Sequence, residues 1–392
     1  MERVISSERR PIKMWLKDIE DGALAQAKNL ANLPFIHKWV AIMPDSHQGY
    51  GMPIGGVIAT DGVVIPNAVG VDIGCGMSVV ELPLTVEELR PNIGYIVDEI
   101  RNVVPVGFNH HGDPQEQMWM PEVRIDGLPI VQRELNKAHY QIGTLGGGNH
   151  FIELQSDEDG KVHLMIHSGS RNIGYQVAKH YNELAKDLND KWHTSVPSDW
   201  DLAFLPIGTK EAKDYINEMK YCVEFAKCNR RLMMYNIIDV FDFVYKGEGK
   251  FFSDYQSVNI AHNYASLENH FGKNVWVHRK GATSAKEGEL GIIPGSQGTQ
   301  SYIVRGLGNK DSFMSCSHGA GRVMGRKQAK RELNLEEEQR KLDEQGILHS
   351  IRGVGDLDEA TGAYKDINVV MDNQKDLVEI VKELRPLAVV KG

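Results

Sequence analysis

The sequence predicts a mixed α/β (α+β) fold: one compact domain over residues 1–392, with many short strands, Gly-rich loops and a site built from several of those loops. Three observations predict it. Val/Ile-rich runs punctuated by Gly and Pro recur through the first hundred residues and again beyond residue 275, as in strands joined by tight turns. Residues 174–246 instead space their apolar side chains helically, in YQVAKHYNELAKDL and YCVEFAKCNRRLMMYNIIDVFDFV. No Pro-, Ser- or charge-rich linker divides the chain.

Taken in order, WVAIMPDSHQGYGMPIGGVIATDGVVIPNAVGVDIGCGMSVVEL reads as several short strands. Thr85 followed three residues later by Glu88 marks a capped helix start. Residues 105–128 read as an irregular loop. GTLGGGNHFIE (143–153) is a Gly-rich turn entering a strand, and VHLMIHSGSRNIG (162–174) is a strand ending in polar loop residues. Strand-like pieces return at VWVHRKGA, GIIPG and SYIVRGL. A charged helix is expected from Arg322 onward, then a βαβ-like tail ending in VVKG.

Composition excludes several function classes. The 44 Lys+Arg and 53 Asp+Glu leave a net charge of −9, against unspecific coating of nucleic acid, although a local basic groove is compatible with it. No apolar run approaches the ~18 residues of a membrane span, and MERVISSERR lacks a signal-peptide core. Cys75, Cys222, Cys228 and Cys316 form no CxxC pair and suggest no disulfide framework. A cytoplasmic protein is expected. The 39 glycines imply many constrained loops.

The 15 histidines matter more. Asp45 and His47 lie in PDSHQGYG, Asp72 and Cys75 in GVDIGCGM, His150 in GGGNHF, His167 in IHSGSR, His262 in IAHNYA and His318 in CSHGAGR. Imidazole, thiolate and carboxylate make a transition-metal set, and a thiolate can bridge two cations. Individually each has a plainer reading: a loop hydrogen-bonder for a histidine, a turn cap for Asp72, a small buried hydrophobe for Cys75. GGGNH, SGSR, PGSQGT and SHGAGR offer runs of backbone N–H that cradle anions, the last one opening the helix expected at Arg322. No GxxxxGK[ST] or GxGxxG motif occurs. Arg171, Arg279, Lys280, Arg322, Arg326 and Lys327 lie in or beside these loops. Arg171 and Arg279–Lys280 read as phosphate clamps, and 326–331 as a solvated helix face paired with the Glu-rich stretch that follows.

The motifs together resemble the RtcB family of RNA-splicing and repair ligases over essentially the whole chain. The resemblance rests on PDSHQGYGMPIGG, GVDIGCGM, GTLGGGNHFIE, HSGSRNIG, AHNYA, RKGATSA, GIIPGSQGTQSYIVRGLG, CSHGAGRVMGR and the terminal VKG. It implies one RtcB-like domain and a GTP-dependent ligase with two Mn²⁺, in which His318 becomes guanylylated. One manganese would be held by Asp72, Cys75 and His150, the other by Cys75, His167 and His262. Guanylate contacts would fall on Asn149, His150, Phe151, Ile152 and Glu153, on His262 and Asn263, on Pro294, Gly295, Ser296 and Gln297, on Ser301, on His318, Gly319, Ala320 and Gly321, and on Lys391. The family implies RNA with 3′-phosphate or 2′,3′-cyclic phosphate ends and 5′-hydroxyl ends as substrate, and a monomer; an activating protein partner is left open. Donor chemistry alone favours Zn²⁺ over Mn²⁺ at such a site, so manganese rests on the family. Gly147, Gln297, Gly325 and Tyr50 stand where the family commonly has Thr, Met, Ser and Lys. Two other readings compete: a binuclear phosphoesterase, which needs neither His318 nor Lys391, and a non-catalytic RNA- or GTP-binding paralogue.

Overall fold

The computed structural model describes residues 1–247, 249–252 and 257–392, and two sheets carry its architecture. The first runs, in spatial order, Arg3–Ile5, Ile12–Met14, Ile36–His47, Ile54–Thr60, Lys273–Lys280 and Asn263–His270. Its pairings are antiparallel except that of Ile12–Met14 with Ile36–His47. The second is antiparallel throughout, in the order Val258–Ala261, Gly76–Thr85, Lys161–Ser168, Phe151–Ser156, Val378–Lys391, Ser301–Gly306 and Leu290–Ile293. The mixed single-domain α/β fold expected from the sequence is therefore the one observed.

The sheets meet where the chain crosses between them. Val258–Ala261 belongs to the second sheet and Asn263–His270 to the first, so His262 is the crossing residue. Register then gathers the other motifs there. His167 pairs with Met77 on one side and Phe151 on the other, while Gly76 pairs with Ser168 and with Ala261. Gly76 fits because a Cβ there would run into the Ile260 carbonyl.

The helix Lys210–Tyr245, 36 residues long, spans two cores. Tyr215, Met219, Cys222 and Phe225 pack with Ile173, Val177 and Tyr181 of the helix Arg171–Lys191. Met233, Met234, Ile237 and Phe241 pack beneath the second sheet with Leu154, Leu164 and Ile166. Thr209 caps it by accepting from the Ala212 N–H at 3.2 Å. No helix of the described residues is long and apolar enough to cross a membrane.

Several local expectations change. The capping box at Thr85 forms, but its helix is the single turn Val86–Leu89, with Ile93–Val103 following. The strand grammar of the first hundred residues hides the helix Asp21–Asn32, which buries Ala23, Ala27, Leu30 and Ala31. The helix expected from Arg322 starts only at Arg326, because Arg322 bridges to Tyr364 and Gly325 is extended, and it breaks at Asn334, which caps Leu335–Asp343. The SHGAGR turn thus has no helix N-terminus beside it. The tail holds one helix, Ile367–Asp372, and one long strand, Val378–Lys391, rather than a βαβ unit.

Candidate active site

At the sheet junction the predicted ligands converge. Cys75 Sγ lies 3.3 Å from His150 Nε2 and 3.3 Å from His167 Nε2. His150 Nε2 is 3.1 Å from Asp72 Oδ2, and His167 Nε2 is 3.4 Å from His262 Nε2. Backbone bonds lock the set: the His262 N–H donates to the Cys75 carbonyl at 2.8 Å, and His167 Nδ1 donates to the Asn149 carbonyl at 3.0 Å. That second bond fixes the His167 tautomer and leaves a lone pair on Nε2.

Burial sets the charge states. His167 and His262 are pushed well below the usual imidazole value, so both are neutral at pH 7. Burial, then the Asp72 carboxylate, pushes the Cys75 thiol well above its usual value, with Arg230 opposing. Lone pairs of neutral imidazoles facing one another around a thiol and a carboxylate repel unless a cation lies among them. A coordinated thiol is deprotonated outright. Cys75, His150 and His167 form a set that could hold a metal ion, with Asp72 and His262 adjoining it. Glu81, Asp157 and His163 form a second cluster of potential ligands. There the Lys382 ammonium already sits 2.9 Å from Glu81 and 2.7 Å from Asp157, so the cluster is a structural ion network.

His318 stands beside this set, its ring centroid 4.8 Å from that of His262. Its Nδ1 donates to Asp45 Oδ2 at 2.6 Å and its backbone N–H to the same oxygen at 3.1 Å. Gly321 follows at φ 75°, where a Cβ would strike the Asp45 carbonyl, so this turn requires glycine against the Asp45 strand. The sequence motif flagged Asp45 without a role; only folding brings it to a residue 273 positions away.

A cleft of about 1020 Å³ opens over these groups. Asp72, Cys75, His167, His262 and His318 line it, as do Asn149, Phe151, Glu153, Asn263, 294–297, 319–321 and Lys391. His150 lies behind this wall, on Asp72 and Cys75. The Ile152 side chain packs in the core beneath the second sheet, away from the cleft. Ser301 is displaced too: it is buried behind the 294–297 turn, where Oγ accepts from the Gly295 N–H at 3.2 Å and from Gln155 at 3.1 Å. The Asn263 amide is occupied at both ends, by the Asp72 carbonyl and the Gly281 N–H, and that of Gln297 by the Glu359 carbonyl and the Ser350 N–H. Burial raises the Glu153 carboxyl to about 8, against the opposing hydrogen bond of Gln155 and charge of Lys391.

The basic residues divide. Arg279 is no phosphate clamp: it is fully buried, ion-paired with Glu268 and bonded to Ser315 and the Phe313 carbonyl. Lys280 does line the cleft, its Nζ donating to the Tyr50 carbonyl at 2.6 Å and that of Asn67 at 2.9 Å, and burial lowers it to about 7. Arg171 is half-buried on Thr144 Oγ1 and the Gly107 carbonyl. Arg326 and Lys330 pair with Asp358 and Glu359, while Arg331 pairs with Glu332, so the expected pairing of this solvated face with the Glu-rich stretch holds only in part. Glu359, missed in the sequence, collects Arg322, Lys391 and the Tyr364 hydroxyl at one wall of the cleft. Tyr50 stands 75% exposed at the rim. His47 bonds the Asp45 carbonyl through Nδ1, and burial lowers it to about 4.

A family model described as "tRNA-splicing ligase RtcB" matches residues 26–128 and 124–392. The "RNA-splicing ligase RtcB" of Escherichia coli (strain K12) is 40% identical over 408 residues, covering 99% of this chain and 99% of that protein. The "tRNA-splicing ligase RtcB" of Thermococcus kodakarensis is 34% identical over 445 residues, with 95% and 92% covered. That of Nanoarchaeum equitans is 34% identical over 460 residues, with 100% and 95% covered.

Proposed function

The chain belongs to the RtcB family of RNA-splicing ligases, and on that premise we propose that it seals RNA 3′-phosphate or 2′,3′-cyclic phosphate ends to 5′-hydroxyl ends, with GTP as GMP donor and Mn²⁺ as metal. The observation that carries this reading is the meeting in one cleft of His318, held by Asp45, with Asp72, Cys75, His167 and His262, His150 lying just behind them. A binuclear phosphoesterase needs the metal set but gives His318 no task.

Asp45 accepts the Nδ1 proton, so His318 presents the Nε2 lone pair. Attack on the α-phosphorus of GTP forms a P–N bond and breaks the P–O bond to pyrophosphate, leaving GMP on His318. An oxygen of the RNA 3′-phosphate then displaces the imidazole from that phosphorus. The 5′-hydroxyl finally attacks the activated 3′-phosphate, forming the new phosphodiester and expelling GMP; a cyclic end is first hydrolysed to the 3′-phosphate. Asp72, Cys75 and His150 would hold one metal, and Cys75, His167 and His262 the other. When bound, the ions would offset phosphate charge and orient the triphosphate. Glu153 and Lys391, both on the cleft wall, are suited to the polar edge of guanine. Arg171, half-buried beside the Gly-rich turn, is suited to RNA phosphates, whereas Lys280 lines the cleft with its ammonium engaged by two carbonyls.

Incubation with α-labelled GTP and Mn²⁺, followed by denaturing electrophoresis, tests the reading. A covalent label, labile in acid and stable in alkali as a phosphoramidate is, should form on the wild type and be absent from His318→Ala. Short RNAs with the four combinations of terminal groups complete the test. Joining of 3′-hydroxyl to 5′-phosphate ends, or sealing without nucleotide, overturns the mechanism. Metal binding with neither label nor sealing favours the non-catalytic paralogue.

A further inference from the structure

Asn229 and Arg230 are adjacent in the middle of the helix Lys210–Tyr245, fully buried, and absent from the cleft wall. Phe225, Ala226, Leu232, Met233 and Met234 around them on that helix are apolar core. A guanidinium there is costly to desolvate, and its hydrogen-bond partners are neutral groups rather than a carboxylate. What those partners carry explains its presence. Arg230 Nη1 donates to the Gly74 carbonyl at 3.1 Å and the Ser168 carbonyl at 2.7 Å, and Nε donates to Asn259 Oδ1 at 2.8 Å. Gly74 precedes Cys75, Ser168 follows His167, and Asn259 lies three residues before His262, on the strand that leads into it. Asn259 in turn donates to the Lys227 carbonyl at 3.1 Å, closing the loop back to the helix.

Asn229 does the same for the remaining ligand segments. Its Oδ1 accepts from the N–H groups of Gly143 and Thr144 at 2.7 and 3.0 Å, at the head of the turn that delivers His150. Its Nδ2 donates to the Thr144 carbonyl at 3.2 Å, to Ser168 Oγ at 3.1 Å and to the Gly169 carbonyl at 3.1 Å. Gly169 lies against Asp72, since a Cβ there would collide with the Asp72 carboxylate. We propose that Asn229 and Arg230 are positioning residues for the metal centre, tying to one rigid helix the separate segments that present its five ligands. This rests on the metal-site reading above. It makes a specific claim: loosening this knot changes the ligand geometry before it unfolds the chain.

The test uses the full-length chain as wild type, Arg230→Lys, Asn229→Ala and Asn259→Ala, with Glu218→Gln as control. Glu218 is equally buried on the same helix, but caps Pro129–Gln141 through the N–H groups of Ile130 and Val131 and touches no ligand segment. Mn²⁺ affinity is measured by calorimetry, Co²⁺ geometry from its thiolate charge-transfer and ligand-field bands, and Tm on the metal-free proteins. Arg230→Lys keeps the charge but loses the fork that reaches three acceptors. It and Asn229→Ala should bind Mn²⁺ about 10- to 100-fold more weakly, with shifted Co²⁺ bands. Asn259 is half-buried, so its alanine variant should fold and show a smaller loss in the same direction. Glu218→Gln should lower Tm and keep wild-type affinity and spectrum. Folded variants with wild-type Mn²⁺ affinity and Co²⁺ bands, or an equal loss in Glu218→Gln, overturn the proposal. A wild type that binds neither ion overturns the metal-site reading itself.

Discussion

Replacing Asp45 by Asn isolates what the carboxylate does for His318. In the wild type the carboxylate is fully buried and its Oδ2 accepts two hydrogen bonds, at 2.6 Å from Nδ1 and 3.1 Å from the backbone N–H of His318. Burial opposes its charge, but the charge and hydrogen bond of His318, followed by Lys365 and His47, hold its pKa below the usual carboxylate value. An ionised Asp45 therefore demands a proton on Nδ1 and leaves Nε2 free to attack. Asparagine keeps the shape and loses the charge, and its amide can donate to Nδ1, which moves the proton to Nε2. A hydrogen bond to a charged group contributes about 1.5–3 kcal/mol. At about 1.36 kcal/mol per decade that alone is roughly 10- to 150-fold in rate. Where a wrong tautomer adds to this, as in the Asp-to-Asn change of a serine-protease triad, the loss reaches about 10⁴. Single-turnover transfer of α-label from GTP to the protein should therefore slow by at least about tenfold in D45N, with GTP binding and Tm near wild type. A variant that folds normally and is labelled at the wild-type rate would refute the orienting role.

Cys75→Ala should lower metal content at both positions together, since one sulfur faces both His150 and His167; purified protein that retains both metals rules out bridging. Glu153→Gln tests a pH effect with a definite sign. The folded carboxyl is raised to about 8 from 4.5, so between those values the folded state holds the proton that the unfolded state has released, and stability falls as pH rises through this window. The glutamine variant should lack that slope in melts at graded pH, and an unchanged slope assigns it to another group. Arg279→Met should destabilise the fold by up to about 3–5 kcal/mol in denaturant titrations, because it removes the only Arg/Lys partner of Glu268 among the described residues and leaves that carboxylate to His270 and Ser266. RNA affinity of the folded fraction should not change; wild-type stability with weakened RNA binding would restore Arg279 as a phosphate clamp.

The candidate ligands were legible because most sit in Gly-rich motifs, Asp72 and Cys75 in one and His150 and His167 in two others, and such motifs survive as local signals whatever the topology; His262, in IAHNYA, has no such signal. What went astray was mostly strand parity. Successive residues of a strand face opposite sides. In 151–153, Phe151 and Glu153 face the cleft and Ile152 the core, a division that period-two counting alone could have found. The same parity separates Arg279, turned inward to Glu268, from Lys280, turned to the cleft. The late start of the charged helix has a different cause. Arg322 is held extended by Tyr364, 42 residues on, and no local propensity announces a bridge of that kind.

The two fates of histidine in this cleft follow from what each Nδ1 meets. His167 gives its Nδ1 proton to a backbone carbonyl, which fixes the tautomer but adds no charge; its Nε2 becomes a neutral donor suited to a metal. His318 gives the same proton to a buried carboxylate, which fixes the tautomer and also favours positive charge on the ring as Nε2 begins to form a bond. The carbonyl belongs to Asn149, inside the turn that also carries His150, so one Gly-rich loop delivers one ligand and orients another. The carboxylate comes from the Ile36–His47 strand of the first sheet, while the ligands of the second sheet arrive from the other side. Asp45 on the first sheet and His167 on the second thus reach the cleft from different sheets, while His318 follows Ser315–Ser317 of a separate two-stranded sheet and His262 is the crossing residue.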